Sequence, residues 1–323
     1  MARPYQKGLT QVADGVWAYL QPDGGWGWSN AGLVADDDQT LLVDTLFDVK
    51  LTADMLETMR ASVPAARRIG TVVNTHANGD HCWGNELVAD ARIVASARCA
   101  EEMAELPPSR LADLMKAAPA MGPAGRYLTD IFGAFDFGSV TLTPPNETFT
   151  GELEVSVGGR AVRLIEVGPA HTRGDVIVHL PGERVVFTGD ILFNGGHPIV
   201  WAGPISNWVA ACRLIADLDV DTVVPGHGPV TGKAAVAALA EYLGWVWDGA
   251  GRRREAGMSA LEAARDLLAE VKGSTDLAWA GWGESERLAV NVAAVYRELG
   301  AEPGSAGPAG LFGDMADLAG YGR

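Results

Sequence analysis

Hydrophobic and polar positions alternate in the first part of the chain, which predicts an antiparallel β meander. The alternation covers residues 12–20, 31–35 and 40–43, with turn-forming residues between the runs. A period of two is typical of strands that bury one face. Residues 51–61 change to the spacing of an amphipathic helix, and the β-branched runs 69–73 and 91–95 predict two further buried strands.

The middle and the end of the chain show mainly helical spacing. Residues 97–137 are helical but interrupted by proline and glycine, which predicts an inserted cap of short helices. Strands resume at 153–157 and 162–167, and the helical pattern returns over 234–247, 260–271 and 286–299. We therefore predict an α/β catalytic domain over residues 1–235 with the cap at 97–137, a helical extension over 236–300, and a flexible tail over 301–323.

The flexible tail is expected because residues 301–323 are rich in Gly and Ala and show little periodicity. Leu311 and Phe312 are its large apolar residues, and a second subunit is one surface on which they could dock. A homodimer is therefore one expectation for the assembly.

Composition limits the class of partner and the compartment. A formal charge of −16 over 323 residues disfavours nucleic acid and leaves a small molecule as the expected partner. No apolar run approaches the roughly 18 residues of a spanning helix, so no membrane association is expected. The first residues lack the apolar core of a secretion signal, and the three cysteines show no paired spacing. Both observations favour the cytoplasm.

Residues 74–85 carry a dense group of metal-binding side chains. His76, Asp80 and His81 fall within six positions, with Asn78 between them. They follow the buried strand 69–73 and precede a helical pattern, so they lie where an α/β fold exposes functional groups. Imidazole and carboxylate at this spacing are suited to zinc or another borderline divalent ion.

The second half repeats one arrangement three times. A short apolar strand ends in a glycine-bounded turn that bears one candidate ligand, first His171, then Asp190, then His227. Because each turn follows a strand, we expect these side chains to meet the first group at one edge of the sheets.

The order of these motifs resembles that of the metallo-β-lactamase superfamily. The resemblance implies a four-layer αβ/βα sandwich with C-terminal helices added here. It assigns His76 and His171 to one metal and Asp80, His81 and His227 to a second, with Asp190 as the bridge. An Asp at position 190, with no Cys ligand, is similar to the glyoxalase II branch.

Asn78 departs from that family pattern, because it stands where a second histidine is usual. A neutral amide oxygen is a weaker ligand for zinc than imidazole. We expect one or two zinc ions, with the His76/His171 site weaker or occupied by iron or manganese. In the alternative, Asn78 hydrogen-bonds within its own loop and water completes the site.

Other residues are candidates for roles around the metals. His197 lies on a glycine-rich loop and is a candidate acid/base or substitute ligand. Arg173 is a candidate clamp for a carboxylate or phosphate, or a solvated surface residue. Trp26, Trp28 and Trp201 either wall the substrate pocket or pack on the fold. Asp44 caps a helix or supports a histidine, and Cys82 is expected to be a buried thiol.

Together these residues favour a metal-dependent hydrolase. A metal ion can supply hydroxide at neutral pH to attack a thioester, ester or lactone carbonyl, with Asp80 orienting the nucleophile and accepting a proton. Three alternatives remain open: a polyketide cyclase or thioesterase of the same superfamily, a mono-iron redox enzyme, and a non-catalytic metal-binding protein.

Overall fold

The structure is a computed structural model, and it describes residues 5–22, 25–301 and 308–322. Within these ranges, no helix is both long enough and apolar enough to cross a membrane. The described residues form two β-sheets and the helices that cover them.

The first sheet contains seven strands in sequence order over the described residues. The strand predicted at 12–20 is two strands, because Asp14 and Gly15 form a turn in which Gly15 has a φ of 66°. The first four strands are antiparallel, and the next three continue the sheet in parallel. The strands are β1 (Gly8–Ala13), β2 (Val16–Leu20), β3 (Ala31–Asp36), β4 (Gln39–Val43), β5 (Thr71–Val73), β6 (Arg92–Ser96) and β7 (Glu147–Phe149).

The second sheet has the order β12-β11-β10-β9-β8. Its strands are antiparallel except for β11 and β12, which run parallel, so that their carboxyl ends lie at the same edge. The strands are β8 (Glu152–Val157), β9 (Arg160–Glu166), β10 (Val176–Leu180), β11 (Val185–Phe187) and β12 (Thr222–Val224).

Helices cover the outer faces of both sheets. The helix α6 was not predicted from the sequence, although it lies between two of the predicted ligand loops. The helices are α1 (Val49–Ser62), α2 (Gly79–Cys82), α3 (Ala97–Glu105), α4 (Pro108–Ala117), α5 (Gly122–Phe132), α6 (Ile205–Asp217), α7 (Lys233–Glu255), α8 (Ala260–Gly273), α9 (Leu288–Glu298) and α10 (Pro308–Leu318).

Successive side chains along a strand point alternately to the layer between the two sheets and to the helices outside them. On β4, Leu41 and Val43 pack between the two sheets, whereas Leu42 packs against the helices of the first sheet. On β10, Val176 joins the layer between the sheets and Ile177 packs against the helices of the second sheet. Both sheets thus bury both faces, and the predicted four-layer αβ/βα sandwich is confirmed.

The tail predicted to be flexible, residues 301–323, contains a helix in the part that the structure describes. The helix α10 docks on the fold, and Met315 and Ala316 are fully buried. Phe312 packs against two rings of its own chain, Trp26 and Phe132. Residues 302–307 and 323 lie outside the described ranges.

Candidate metal centre

The predicted ligands come together at one edge of the sandwich. Asp44 follows β4 and His76 follows β5, and these neighbouring strands are parallel. Asp190 and His227 follow β11 and β12, which are also parallel. His171 comes from the loop between β9 and β10. The carboxyl ends of parallel strands meet at one edge, which is why segments distant in sequence converge here.

Two clusters of donors form within this edge. One contains His76, His171 and Asp190, and the other contains Asp80, His81 and His227. In each cluster the candidate donor atoms lie within 4.8 Å of one another. The grouping matches the one that the family resemblance implies.

Asp190 contacts both clusters. Its Oδ2 lies 3.3 Å from Nε2 of His171 and 3.7 Å from Nε2 of His76. Its Oδ1 lies 3.1 Å from Nε2 of His81, and its Oδ2 lies 3.4 Å from Nε2 of His227. Asp190 could therefore be shared by ions held at the two clusters.

Three potential ligand atoms lack hydrogen-bond partners within the described ranges, which fits a site for divalent ions. Nε2 of His76, Nε2 of His81 and Oδ1 of Asp190 are buried and have no hydrogen-bond partner among the described residues. Buried polar atoms are normally hydrogen-bonded, so unpaired atoms aimed at a common point need another partner. Imidazole nitrogen and carboxylate oxygen are suitable ligands for zinc and similar ions.

Hydrogen bonds on the far side of the rings orient the imidazoles. Nδ1 of His81 lies 2.9 Å from Oδ2 of Asp44, and Nδ1 of His171 lies 2.7 Å from the carbonyl oxygen of Ile199. Both partners are acceptors, so Nδ1 carries the hydrogen and Nε2 keeps its lone pair for a metal. Of the two roles predicted for Asp44, the structure therefore shows the support of a histidine.

Asn78 lies inside the first cluster rather than bonding within its own loop. Its Nδ2 is 3.0 Å from Nε2 of His171, and no side-chain bond from Asn78 caps α2. The amide therefore occupies the place beside the ligand nitrogen where the family has an imidazole. A metal bound to Nε2 of His171 would have to replace this hydrogen bond.

The carboxylates and imidazoles of the centre strongly shift one another's pKa values. Burial alone raises the pKa of Asp190, but the nearby His227, His81 and His76 hold it well below the ordinary range of an aspartate. Burial lowers the pKa of His227, yet Asp190 and Asp80 raise it to about 9. Positive charge is thus stabilised where these carboxylates meet, as a cation site requires.

Two residues that the sequence analysis missed hold the loops of the centre. The hydroxyl of Ser29 donates to the carbonyl oxygen of Asp80. Nδ2 of Asn30 donates to the carbonyl oxygens of Pro225 and Gly228, at 3.0 and 2.8 Å, on either side of His227. Their position beside Trp28 after a turn gave no signal of this role.

Gly226 leaves room for the bridging carboxylate. A Cβ at this position would lie 2.0 Å from Oδ1 of Asp190. The turn before His227 therefore needs glycine for close approach, rather than for an unusual backbone angle.

A large cavity opens over the metal centre. Its volume is about 510 Å³, and both clusters contribute to its floor through Asp80, His171, Asp190 and His227. Trp26 and Trp201 line it, whereas Trp28 packs on Phe135 and lines smaller cavities nearby. Most of the wall is apolar, and it includes Phe47, Trp83, Leu106, Leu111, Leu114, Phe132, Phe193, Ile199 and Phe312.

The structure places His197, the predicted acid/base or substitute ligand, away from the two clusters. The side chain is fully buried, its Nδ1 lies 3.1 Å from Oη of Tyr242, and it is not among the residues that line the cavity. Burial, together with the charge of Arg287, lowers its pKa to about 3, so it stays neutral. The glycine-rich loop directs the side chain of His197 towards the core of the helical extension.

Arg173, predicted as a clamp or as a solvated surface residue, lies outside the cavity. Its guanidinium pairs with Glu102 at 3.3 Å and with Glu105 at 2.8 Å, both on α3. The side chain ties the loop of His171 to the cap and does not line the cavity. Cys82 is a buried thiol whose pKa is raised well above its usual range by burial, as expected for a structural cysteine.

Comparison with known proteins agrees with this centre. The sequence model of the metallo-beta-lactamase superfamily matches residues 24–227, the range that contains every predicted ligand. The chain belongs to the metallo-beta-lactamase superfamily. Members of this superfamily generally bind divalent metals, and the two clusters provide the residues for them.

The chain is similar to proteins of the superfamily that are named for different activities. It is 26% identical over 228 residues to the 2,4-dinitroanisole O-demethylase subunit alpha of Nocardioides, covering 69% of this chain and 56% of that one. It is 26% identical over 226 residues to the human acyl-coenzyme A thioesterase MBLAC2, covering 66% and 77%. The sec-alkylsulfatase Pisa1 from Pseudomonas has the same fold, with a TM-score of 0.67 at 17% identity, covering 93% of this chain and 51% of that one. The chain thus spans only about half the length of two of these proteins.

Proposed function

We propose that this protein is a metal-dependent hydrolase of a thioester, ester or lactone with a bulky apolar group. One observation carries the proposal: two His/Asp clusters that share Asp190 lie at the floor of a large apolar cavity. Membership of the superfamily and the similarity to a thioesterase support the reaction class.

The residues divide the proposed metal binding between two unequal sites. Asp80, His81 and His227 would hold the tighter ion, which we propose to be zinc. His76 and His171, with Asn78 beside them, would hold the weaker ion, and iron or manganese are candidates there. A divalent ion bound at such a site lowers the pKa of water towards neutrality and polarises a carbonyl group.

Asp80 is the side chain best placed to handle the proton of the attacking water. It lines the cavity, and its Oδ2 lies 3.3 Å from Nε2 of His227. The nearby His81 and His227 outweigh burial and lower its pKa, so Asp80 is ionised and can accept a proton. Water would then add to the acyl carbon, the bond to sulfur or oxygen would break, and Asp80 would return the proton to the leaving atom. The products would be an acid and a thiol or alcohol, or a single hydroxy acid from a lactone.

The cavity wall selects for an apolar substrate. Phe47, Trp83 and Phe132 form one side, and the leucines of the cap helix α4 form another. Such a wall buries an acyl chain or an aromatic group with about 25 cal/mol per Å² of favourable free energy. A small-molecule substrate with a long acyl or aryl group is therefore the proposed partner.

A panel of thioesters, esters and lactones with short and long acyl groups tests the proposal. Purified protein should hydrolyse the longer substrates, lose this activity after chelation and regain it with added zinc. Asp190→Asn removes the shared charge and should abolish hydrolysis while the thermal unfolding temperature shows that the protein is folded. If no substrate of the panel is cleaved by the zinc-loaded protein, the proposed reaction is wrong.

A second candidate is hydrolytic cleavage of an aryl ether. The relative from Nocardioides is named for the O-demethylation of 2,4-dinitroanisole, and seven Trp and Phe side chains line the cavity here. Nitroanisoles belong in the same panel. Release of a nitrophenol, without cleavage of any acyl substrate, would favour this candidate over the first.

A further inference from the structure

Arg287 is a buried cation on the wall of the proposed substrate cavity. It is only 3% exposed, yet it lines the cavity above the metal centre. Its Cζ lies 4.4 Å from the ring centroid of Trp26 and 5.3 Å from that of Phe193. The two rings hold the guanidinium between them and attract its positive charge.

The positive charge of Arg287 is poorly compensated by the protein. Nη1 donates to the carbonyl oxygen of His197 at 2.8 Å, and Nε is buried without a hydrogen-bond partner among the described residues. Nη1 also forms an ion pair with Oε2 of Glu284, at the long distance of 3.9 Å. The next acid along the chain, Glu286, instead accepts hydrogen bonds from Trp26 and Tyr127.

A buried guanidinium with one neutral acceptor is unfavourable unless another partner arrives. Desolvation of a charged group costs several kcal/mol and is normally offset by a close counter-ion or several hydrogen bonds. The described residues give Arg287 one hydrogen bond, to the carbonyl oxygen of His197, and one ion pair at 3.9 Å, which compensates the charge only in part. An anion in the cavity that Arg287 lines would supply both a close counter-ion and further hydrogen bonds.

Arg287 and the metal ligands lie near enough for one substrate molecule to contact both. The ring of Phe193 contacts both, because it packs against Arg287 and stacks on His227, with centroids of Phe193 and His227 5.1 Å apart and an interplanar angle of 2°. An anion at Arg287 would therefore lie in the cavity that the metal-binding His227 also lines. Arg110 also lines this cavity, but it is exposed on the cap.

We propose that Arg287 is a specificity-determining residue that binds an anionic group of the substrate, a carboxylate, sulfonate or phosphate. The substrate would then be an apolar molecule with an oxyanion beside its bulky part. This inference rests on the proposed function only in taking the cavity as the substrate site, and it does not depend on which bond is cleaved.

Two dyes that differ by one sulfonate test the proposal without turnover. Anilinonaphthalene sulfonate is the anionic probe, and the neutral phenylnaphthylamine is its matched control. Fluorescence titration of the metal-loaded protein should show tighter binding of the sulfonate. Arg287→Gln should weaken sulfonate binding about tenfold, the effect of losing a charge-assisted hydrogen bond, and leave the affinity for the neutral dye unchanged.

Further variants separate Arg287 from other sources of positive charge. Arg287→Lys keeps the charge and should retain part of the preference, and thermal unfolding shows whether each variant is folded. Arg110→Gln should leave the preference intact. Equal weakening of both dyes in Arg287→Gln would overturn the proposal, because it indicates a damaged wall.

Two more results would also overturn it: loss of the preference in Arg110→Gln instead, or loss on chelation while Arg287→Gln keeps it. If the panel detects no hydrolysis, the dye titrations still test anion binding by Arg287, so the two proposals can fail separately.

Discussion

Oδ2 of Asp44 lies 2.9 Å from Nδ1 of His81, and the same carboxylate accepts hydrogen bonds from the backbone and hydroxyl of Thr75, each at 2.7 Å. Asp44 is thus bonded to a metal ligand and to the residue that precedes His76. It has a φ of 63°, a left-handed conformation that Asp tolerates better than most residues. The backbone at the end of β4 therefore places this carboxylate beneath both clusters.

Asp44→Ala should lower metal affinity. Loss of a carboxylate behind a ligating histidine typically weakens binding about 10- to 100-fold, because the ring loses its orientation and basicity. Competition with a chromophoric chelator measures the change. Asp37→Ala is a matched control, since Asp37 also has a positive φ, of 51°, but is exposed. Equal affinities in the two variants would contradict this role of Asp44.

Asn78→His should strengthen the first cluster. Its present amide lies 3.0 Å from Nε2 of His171, and an imidazole there adds a better ligand for zinc. Metal analysis after purification without added metal should find close to a single tightly held ion in the natural chain and a second one in the variant. Two tightly held zinc ions in the natural chain would refute the idea that Asn78 weakens the site.

Phe312→Ala should change substrate size preference. Phe312 lies 6.0 Å from the ring of Trp26 and 6.2 Å from that of Trp201, so its removal widens the apolar wall. We expect the KM of short acyl substrates to rise more than that of long ones. Leu318→Ala is the control, since it loosens the same helix without lining the cavity. The same KM pattern in both variants would show that the effect comes from weaker packing of α10 and not from the wider cavity.

His197→Gln should remove part of the acid sensitivity of the fold. Burial and Arg287 lower the pKa of His197 to about 3, so between there and its ordinary value near 6.5 only the unfolded chain binds this proton. The free energy of unfolding therefore falls as pH decreases through that range, by up to about 1.4 kcal/mol per pH unit.

Gln can keep the hydrogen bond to Tyr242 while lacking the titration. Denaturant unfolding at several pH values, at fixed metal concentration, should show a shallower dependence below pH 6.5 in the variant. An unchanged slope would show that His197 is not responsible.

The strands and the ligand clusters were accessible from the sequence because both are encoded locally. Strand alternation placed Leu41 and Leu42 on opposite faces, and ligand-bearing turns followed short apolar strands. The docking of α10 was missed, although Leu311, Met315 and Leu318 have helical spacing, because glycines and alanines masked the signal.

The environments of His197 and Arg287 were not accessible from the sequence. Each depends on contacts with residues far away in the chain, Tyr242 for the first and Trp26 for the second. A glycine-rich loop next to a metal ligand looks the same in sequence whether its histidine enters the cavity or the core.

The superfamily match ends at His227, whereas Arg287 and Phe312 reach the cavity from the helices that follow it. The metal-binding side chains and these two cavity residues are thus encoded in separate stretches of the gene. If the cavity is the substrate site, mutation or recombination after the codon of His227 would change substrate preference and leave every predicted metal ligand unchanged.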